Sequence, residues 1–373
     1  MGVPFLDLRA PYAELRAEID AATARVLASG WYLLGPETEA FEAEFADYCG
    51  AEHCVSVASG GDALELVLRA WGIGPGDEVL VPGNTFIATW LAVTAVGARP
   101  VPVEPDLITH TVDTARLEAA ITPRTRAVIP VHLYGQPADL AAVRAVAERH
   151  GLAVLEDAAQ APGATWAGGR IGARGSTVAF SFYPGKNLGS LGDSGAVVTS
   201  DPELAAKLRL LRNYGSQVKY HHEVAGKNSR TDELQAAVLR VKLAHLDAWN
   251  DRRGAVADYY RSELSGIPGL VLPEQTEGTT HAWHLYVVRH ADRDGLRAAL
   301  ERAGVATLVH YPIPPHRCGV YADSHPGPLP LTERLAREVL SLPIGPHLSA
   351  AQAARVATAV KHICANLAFP LAS

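Results

Sequence analysis

Only six lysines occur in the chain, at positions 186, 207, 219, 227, 242 and 361, and one of them is placed unlike the others. Lys207, Lys242 and Lys361 fall on segments of helical period, where a solvated face is the plain reading. Lys186 lies in Ser181-Phe182-Tyr183-Pro184-Gly185-Lys186-Asn187-Leu188-Gly189, directly after an apolar, strand-like run. An amine held at a strand end among small residues is suited to Schiff-base chemistry, because partial desolvation lowers its pKa towards the neutral form that attacks a carbonyl. The bland alternative is a lysine on a surface loop.

Two other stretches could serve the same chemistry. In Glu156-Asp157-Ala158-Ala159-Gln160 the apolar residues Leu152–Leu155 lead straight into two carboxylates. Ligands of open parallel sheets bind at the carboxyl ends of the strands, so an acid there can hold a cationic group. Asp157 could equally cap a helix, and for Glu156 a structurally paired acid is the better reading. In Ala58-Ser59-Gly60-Gly61-Asp62 two glycines open a helix-period segment. Backbone N–H groups at a helix N-terminus attract an anion such as phosphate, although the same residues make an ordinary turn. Gly72-Ile73-Gly74-Pro75-Gly76 is no dinucleotide fingerprint, because it follows a helix and precedes a strand.

The elements that would position these residues alternate. Strands are expected at Cys54–Ala58, Glu78–Val81, Pro100–Val103, Arg126–Leu133 and Ala153–Leu155. Helices are expected at Ala63–Trp71, Phe86–Val96, Thr114–Ile121 and Ala138–His150. Short apolar strands divided by helices of this length imply a mostly parallel sheet covered on both faces. Ser176–Phe182 and Gly195–Thr199 read as further strands around a Gly-rich functional loop, Tyr183–Ser194. Leu204–Leu211 reads as a helix, and 214–230 as irregular. One long helical region is expected from Thr231, its N-cap, to Leu264, with a break at Gly254. A second α/β unit follows, with strands Trp283–Val288 and Val305–His310 and helices Arg293–Ala303, Leu331–Leu340 and Ala350–Leu367. The expected domains are 1–245 and 246–373, and the N-terminal residues could pack on the smaller one.

Composition excludes several classes. With 33 basic and 40 acidic residues the net charge is −7, with no long run of either sign, which argues against nucleic acid and against an anionic membrane surface. The longest apolar stretch, Thr85–Val96, is too short to span a bilayer. Four cysteines without a C-x-x-C pair argue against a structural zinc site, and no metal is expected. The acidic N-terminus lacks a signal-peptide core. A soluble cytoplasmic protein with free thiols is the expectation.

Together these stretches resemble the DegT/StrS family of pyridoxal-phosphate-dependent sugar aminotransferases. The resemblance runs from Val3-Pro4-Phe5-Leu6-Asp7-Leu8 to Leu340-Ser341-Leu342-Pro343-Ile344-Gly345-Pro346. It is most specific at Glu156–Gln160, Ser181–Gly189, Gly192-Asp193-Ser194-Gly195 and Asn228-Ser229-Arg230 ahead of Leu234-Gln235-Ala236-Ala237. It implies an α/β, aspartate-aminotransferase-like fold (fold type I), with a large domain around a mostly parallel mixed sheet and a smaller C-terminal α/β domain.

The resemblance also implies roles. Lys186 matches the lysine that carries pyridoxal 5'-phosphate (PLP) covalently, Asp157 the acid at the ring nitrogen and Gln160 the amide near the ring hydroxyl. Gly60, Gly61 and Ser181 match phosphate-binding positions. Phe86 matches an aromatic that stacks on the ring, although a core phenylalanine is an equal reading. Gly61 replaces a hydroxyl common in the family, so phosphate binding there would rest on backbone amides. Asn228 matches an amide that reaches the cofactor of the neighbouring subunit, which implies a homodimer with shared sites.

Ser29–Pro36, Val131–Gly135 and His310-Tyr311-Pro312-Ile313-Pro314 are similar to enzymes that aminate C3 of TDP-3-keto-6-deoxyhexoses for antibiotic sugars, with L-glutamate as donor. Tyr183, His310 and Tyr311 could line the sugar pocket. Lys219, Tyr220, His221, His222 and Lys227–Arg230 form a mixed basic and aromatic segment that could meet the diphosphate. The alternatives are amination at C4, a sugar dehydratase of the same fold (which would have His at position 186) and a cofactor-binding sensor without catalysis.

Overall fold

The structure is a computed structural model that describes residues 2–173, 175–324 and 327–366. In chain order the strands are β1 (His53–Val57), β2 (Glu78–Pro82), β3 (Arg99–Val103), β4 (Thr125–Val128), β5 (Ala153–Asp157), β6 (Thr165–Trp166), β7 (Gly169–Arg170), β8 (Thr177–Ser181), β9 (Gly195–Thr199), β10 (Leu270–Val271), β11 (Thr279–Thr280), β12 (Tyr286–His290) and β13 (Val339–Leu342). The helices are α1 (Arg9–Glu14), α2 (Arg16–Ser29), α3 (Pro36–Cys49), α4 (Gly60–Ala70), α5 (Ala88–Ala95), α6 (Leu140–His150), α7 (Pro202–Leu211), α8 (Glu233–Leu243), α9 (Leu246–Leu264), α10 (Arg293–Arg302), α11 (Pro330–Glu338) and α12 (Ala350–Asn366).

A seven-stranded sheet in the order β1-β9-β8-β5-β4-β2-β3 forms the centre. From β3 to β8 neighbouring strands run parallel. Only β9 is reversed, between β8 and β1, so the carboxyl ends of β1, β8, β5, β4 and β2 all lie at one edge. The strands are apolar on both faces because helices cover both. On one side Leu64, Leu68, Trp90 and Leu208 pack on Val55, Val79 and Leu155. On the other, Phe41, Phe45 and Leu239 meet Phe180 and Phe182. Phe45 contacts the rings of Phe180 and Phe182 edge-on at 5.0 and 5.2 Å, and burial of such a side chain is worth about 1.5–3 kcal/mol.

A three-stranded sheet, β10-β12-β13, carries a separate core in which Tyr260, Tyr286, Leu296 and Val356 are buried. Val3 bridges to Val305, which brings the N-terminal segment onto this second unit. No helix among the described residues is long and apolar enough to cross a membrane.

Several expectations fail locally. The helical run expected from Thr231 to Leu264 is two helices, broken at Ala244-His245, and Gly254 lies inside α9. Thr231 caps nothing; its hydroxyl donates to the Val57 carbonyl at 2.8 Å while Asp232 takes the cap position. Thr114–Ile121 forms two short 3₁₀ turns. Val305–His310 is no strand and makes only isolated bridges at Val305 and Leu308. The helix expected over Leu331–Leu340 ends at Glu338, where the chain passes directly into β13. Leu367, expected to close the last helix, lies outside the described residues.

Candidate active site

The carboxyl edge of the large sheet brings together residues from four strand ends. Beyond β1, Ser59 caps α4 by accepting from the Asp62 N–H at 3.1 Å. Among the described residues the Gly60 and Gly61 N–H groups have no acceptor. They point from a helix N-terminus whose dipole favours an anion. Gly60 must be glycine, because a Cβ there would stand 2.6 Å from the Ser181 Cβ at the end of β8. A Cβ on Gly195 would stand 2.4 Å from the Ser59 carbonyl carbon. The two glycines therefore let the first turn of α4 lie against β8 and β9. Gly61 is under no such constraint: its nearest neighbour would be Ser59 Oγ at 3.7 Å.

Asp157 ends β5 and is buried. Its Oδ1 accepts from the Ala159 N–H at 3.1 Å and its Oδ2 from the Thr89 hydroxyl at 2.9 Å. Thr85 supports Thr89 at 2.9 Å. Burial pushes the Asp157 carboxyl up, against the pull of those donors and of the Lys186 charge. It forms no ion pair among the described residues. A buried carboxylate in that state calls for a cation on a ligand.

Glu156 faces the other way and is consumed structurally. It pairs with His132 Nε2 at 3.1 Å and Arg144 Nη2 at 2.8 Å. Burial would raise its carboxyl, but His132 and Arg144 outweigh burial and hold it below the usual range. His132 Nδ1 accepts from the Ala138 N–H at 3.0 Å, so Nε2 carries the proton. The His132 backbone N–H also binds the Asp157 carbonyl at 2.9 Å. His132 falls in the Val131–Gly135 stretch noted above, but nothing in the sequence pairs it or Arg144 with Glu156.

Lys186 follows β8 on a tightly held turn. Its N–H bonds the Tyr183 carbonyl at 2.8 Å. Asn187 is buried and donates to Ala282 O at 2.7 Å and Asn250 Oδ1 at 2.8 Å. Lys242 donates to the Gly189 carbonyl at 2.6 Å, so this lysine of α8 is a buried anchor of the turn and not part of a solvated face. A Cβ at Gly189 would stand 2.4 Å from Pro184 O. The Lys186 Nζ makes no hydrogen bond among the described residues. Burial lowers its pKa to about 8, partly opposed by Asp157. Lys186 borders a cleft that Phe5, Pro184, Trp249 and Arg253 also line.

Phe86 lies before α5 and not within it, and is 52% exposed. Its ring therefore has a free face and is not a core residue. Tyr311 approaches it at 5.5 Å between centroids. Gln160 accepts from the Tyr134 N–H and donates to Tyr311 OH at 2.9 Å. His310 bonds Ser341 Oγ at 2.8 Å and is pushed by burial down to about 4. Tyr183, 58% exposed, stands beside the Lys186 turn. Lys186, Asp157, Gln160, Phe86, Ser181, Gly60, His310 and Tyr311 thus share one edge of the fold.

The segment 214–230 is different. Lys219 and Tyr220 are exposed, with the Lys219 Nζ 5.2 Å from the Tyr220 ring centroid. Among the described residues no hydrogen bond or ion pair joins them to Lys186. Asn228 is exposed too. Arg230 donates to Asn213 Oδ1 at 3.1 Å and stacks over Tyr214. Lys227, grouped above with a diphosphate-binding patch, instead pairs with Asp62 at 2.7 Å and Glu65 at 2.8 Å. Its charge is spent inside the chain. Ser229 donates to Asp62 at 2.6 Å. These bonds tie the segment to the first turns of α4 and leave the Asn228 side chain facing outward.

The residues present fit PLP. Free amides at a glycine cradle can take a phosphate, an unpaired buried carboxylate a cationic ring nitrogen, an open aromatic face a flat ring, and an amine of lowered pKa an aldehyde.

Comparison with known proteins gives a consistent picture. Residues 13–361 match the model of the DegT/DnrJ/EryC1/StrS aminotransferase family. The chain is 63% identical over 363 residues to the erythromycin biosynthesis sensory transduction protein EryC1 of Saccharopolyspora erythraea, covering 97% of this chain and 99% of that one. It is 62% identical over 361 residues to a dTDP-3-amino-3,4,6-trideoxy-alpha-D-glucose transaminase of Streptomyces venezuelae, covering 96% and 95%. Among solved structures, S. venezuelae DesV in complex with a ketimine intermediate superposes with a TM-score of 0.97 at 60% identity, over 98% of this chain and 100% of that one.

Proposed function

The chain belongs to the DegT/DnrJ/EryC1/StrS aminotransferase family, a family of PLP-dependent enzymes, and from that premise we propose that it moves an amino group from L-glutamate to C3 of a TDP-3-keto-6-deoxyhexose during synthesis of an antibiotic amino sugar. The observation that carries the reading is the meeting of the Lys186 amine and the Asp157 carboxylate at one sheet edge, each shifting the ionisation of the other. The C3 assignment is supported by the S. venezuelae relative and by a dTDP-3-amino-3,6-dideoxy-alpha-D-galactopyranose transaminase of Aneurinibacillus thermoaerophilus at 49% identity. Nothing at the site favours the sensory role named for the S. erythraea relative, since the amine and the acid are both in place.

When bound, PLP supplies a conjugated cationic ring that accepts the electron pair left as a proton leaves a carbon beside nitrogen. The rest falls to the chain. Lys186 would hold the cofactor through Nζ; once displaced by the amino donor, Nζ takes a proton from the substrate carbon and returns one. A pKa of about 8 suits both directions near neutral pH. Asp157 keeps positive charge on the ring nitrogen. The Gly60 and Gly61 amides, with Ser181, orient the phosphate, and Phe86 covers one face and excludes water. Tyr183 and His310 border the space left for the sugar.

The same reading includes a boundary between the two units near residue 245 and a homodimer in which Asn228, Lys219, Tyr220 and Arg230 serve the neighbouring subunit. The exposed placement of Asn228, Lys219 and Tyr220, none of them bonded to Lys186 among the described residues, supports it. Mixing Asn228→Ala subunits with Lys186→Ala subunits is expected to restore activity, because some mixed dimers contain one intact site. No recovery after subunit exchange, verified by tagged copies, would count against shared sites.

The function itself is tested by incubating the enzyme with glutamate and either 3-keto or 4-keto TDP-sugars and locating the new nitrogen by NMR. Nitrogen at C3 is expected. Nitrogen only at C4 would displace the assignment.

A further inference from the structure

The cleft beside the Lys186 turn holds two buried cations that no acid answers. Lys242 and Arg253 both line it and are 6% and 3% exposed. Lys242 Nζ donates only to the Gly189 carbonyl, at 2.6 Å. Arg253 Nη1 donates to the Trp283 and His284 carbonyls at 3.2 and 3.4 Å. Its Nε and Nη2 donate to nothing among the described residues. Neither side chain forms an ion pair there, and burial alone pulls Lys242 down to about 8 and Arg253 to about 10. The other charged groups at the cleft, Lys186 aside, are already paired. Asp7 holds Arg9 at 3.2 Å, and His347 meets Glu14, which also holds Arg252 at 2.9 Å. Two desolvated cations without a counter-charge are costly unless a ligand supplies one.

The walls decide what kind of anion fits. Phe5, Leu8, Pro184, Trp249, Ile344 and Leu348 line the same cleft, and apolar walls with a few convergent polar groups are the usual make-up of a small-molecule site. An inorganic anion would lose hydration against such walls and gain nothing from them. A carboxylate on an apolar body satisfies both parts, its head shared between Lys242 and Arg253, whose planar fork suits two oxygens. Apart from Lys186, none of the residues given above to the phosphate, the ring or the sugar lines this cleft. We propose that the cleft is a second ligand site, for a small organic acid with an apolar body. The site bears on the chemistry by contact. It lies against the Lys186 turn, and the Lys242 nitrogen that meets the carboxylate is the one that fastens Gly189 O.

Calorimetric titration of the PLP-loaded enzyme, without substrates, with 4-phenylbutyrate and with its uncharged amide tests the site. The acid is expected to bind once per chain and about tenfold tighter than the amide, the worth of one charge-assisted hydrogen bond. Lys242→Gln keeps a donor for Gly189 O and removes the charge. It should weaken binding of the acid about tenfold and leave the amide unchanged. Should that variant fail to fold, Leu8→Asp gives the reading from the rim. Leu8 is 52% exposed, and an acid there is expected to repel the carboxylate several-fold while amide binding and melting temperature stay as in the wild type. Equal binding of acid and amide, an affinity that the folded variants leave unmoved, or no binding at all would overturn the proposal. Displacement of the probe by TDP or 2-oxoglutarate would also overturn it, by placing the probe in the substrate pocket. The heat of binding does not depend on turnover, so the result is separable from the aminotransferase reading.

Discussion

Replacing Lys186 by alanine is expected to end transamination, with turnover falling roughly ten-thousandfold or more. The size follows from two roles in one atom: Nζ is both the attachment point for an aldehyde and the group that moves the proton. Among the described residues no other lysine of the same chain is free at this sheet edge. Lys242 is committed to Gly189 O and Lys227 to Asp62 and Glu65. The loss should not come from unfolding. Nζ makes no hydrogen bond among the described residues, and the turn is held by the Lys186 backbone, Asn187 and Ser190. Removing a desolvated amine leaves nothing unpaired. Thermal melting of the variant should match the wild type while glutamate-dependent spectral change disappears. Near wild-type turnover would place the chemistry elsewhere.

Asp157→Asn should be the second largest lesion, lowering the rate of the half-reaction with glutamate about a thousandfold. The change is nearly isosteric and leaves Thr89 and the Ala159 N–H to hold the side chain. What it removes is a charge in a site where burial magnifies every charge. A carboxylate keeps the opposite ring nitrogen protonated; an amide cannot. The apo variant should be at least as stable as wild type, because it no longer buries an unpaired acid. Stopped-flow measurement of the half-reaction, with melting of the apo protein beside it, checks both. A slow reaction joined to a large loss of stability would mean that Asp157 serves the fold and not the ring.

Much of this arrangement is legible in the sequence because it depends on short-range signals. The strand periods around β1, β2, β5 and β8 are continuous apolar runs, and the acids and the lysine follow directly after two of them. The glycines at 60 and 195 have a local cause, the close approach of α4 to β8 and β9. What sequence reading misses is set by distant partners. Thr231 has the look of a helix cap, yet its hydroxyl is taken by Val57 O. Lys227 reads as a free cation, but two acids on α4 lie within 3 Å. Phe86 falls in an apolar run and reads as helix, while the helix begins two residues later and leaves the ring bare. Glu233 is unremarkable in sequence, yet it is buried and accepts from the Gly35, Glu37 and Thr38 N–H groups at the start of α3. The helices α2 and α3 have weak apolar periods, so their existence depends on packing against α8 more than on their own pattern.

The most direct test is chemical. Borohydride reduction of the PLP-loaded protein, followed by digestion and mass mapping, should leave the pyridoxyl group on the peptide that carries Lys186 and on no other lysine. A reduced adduct on Lys242, Lys219 or any other lysine, or no adduct at all, would contradict the account.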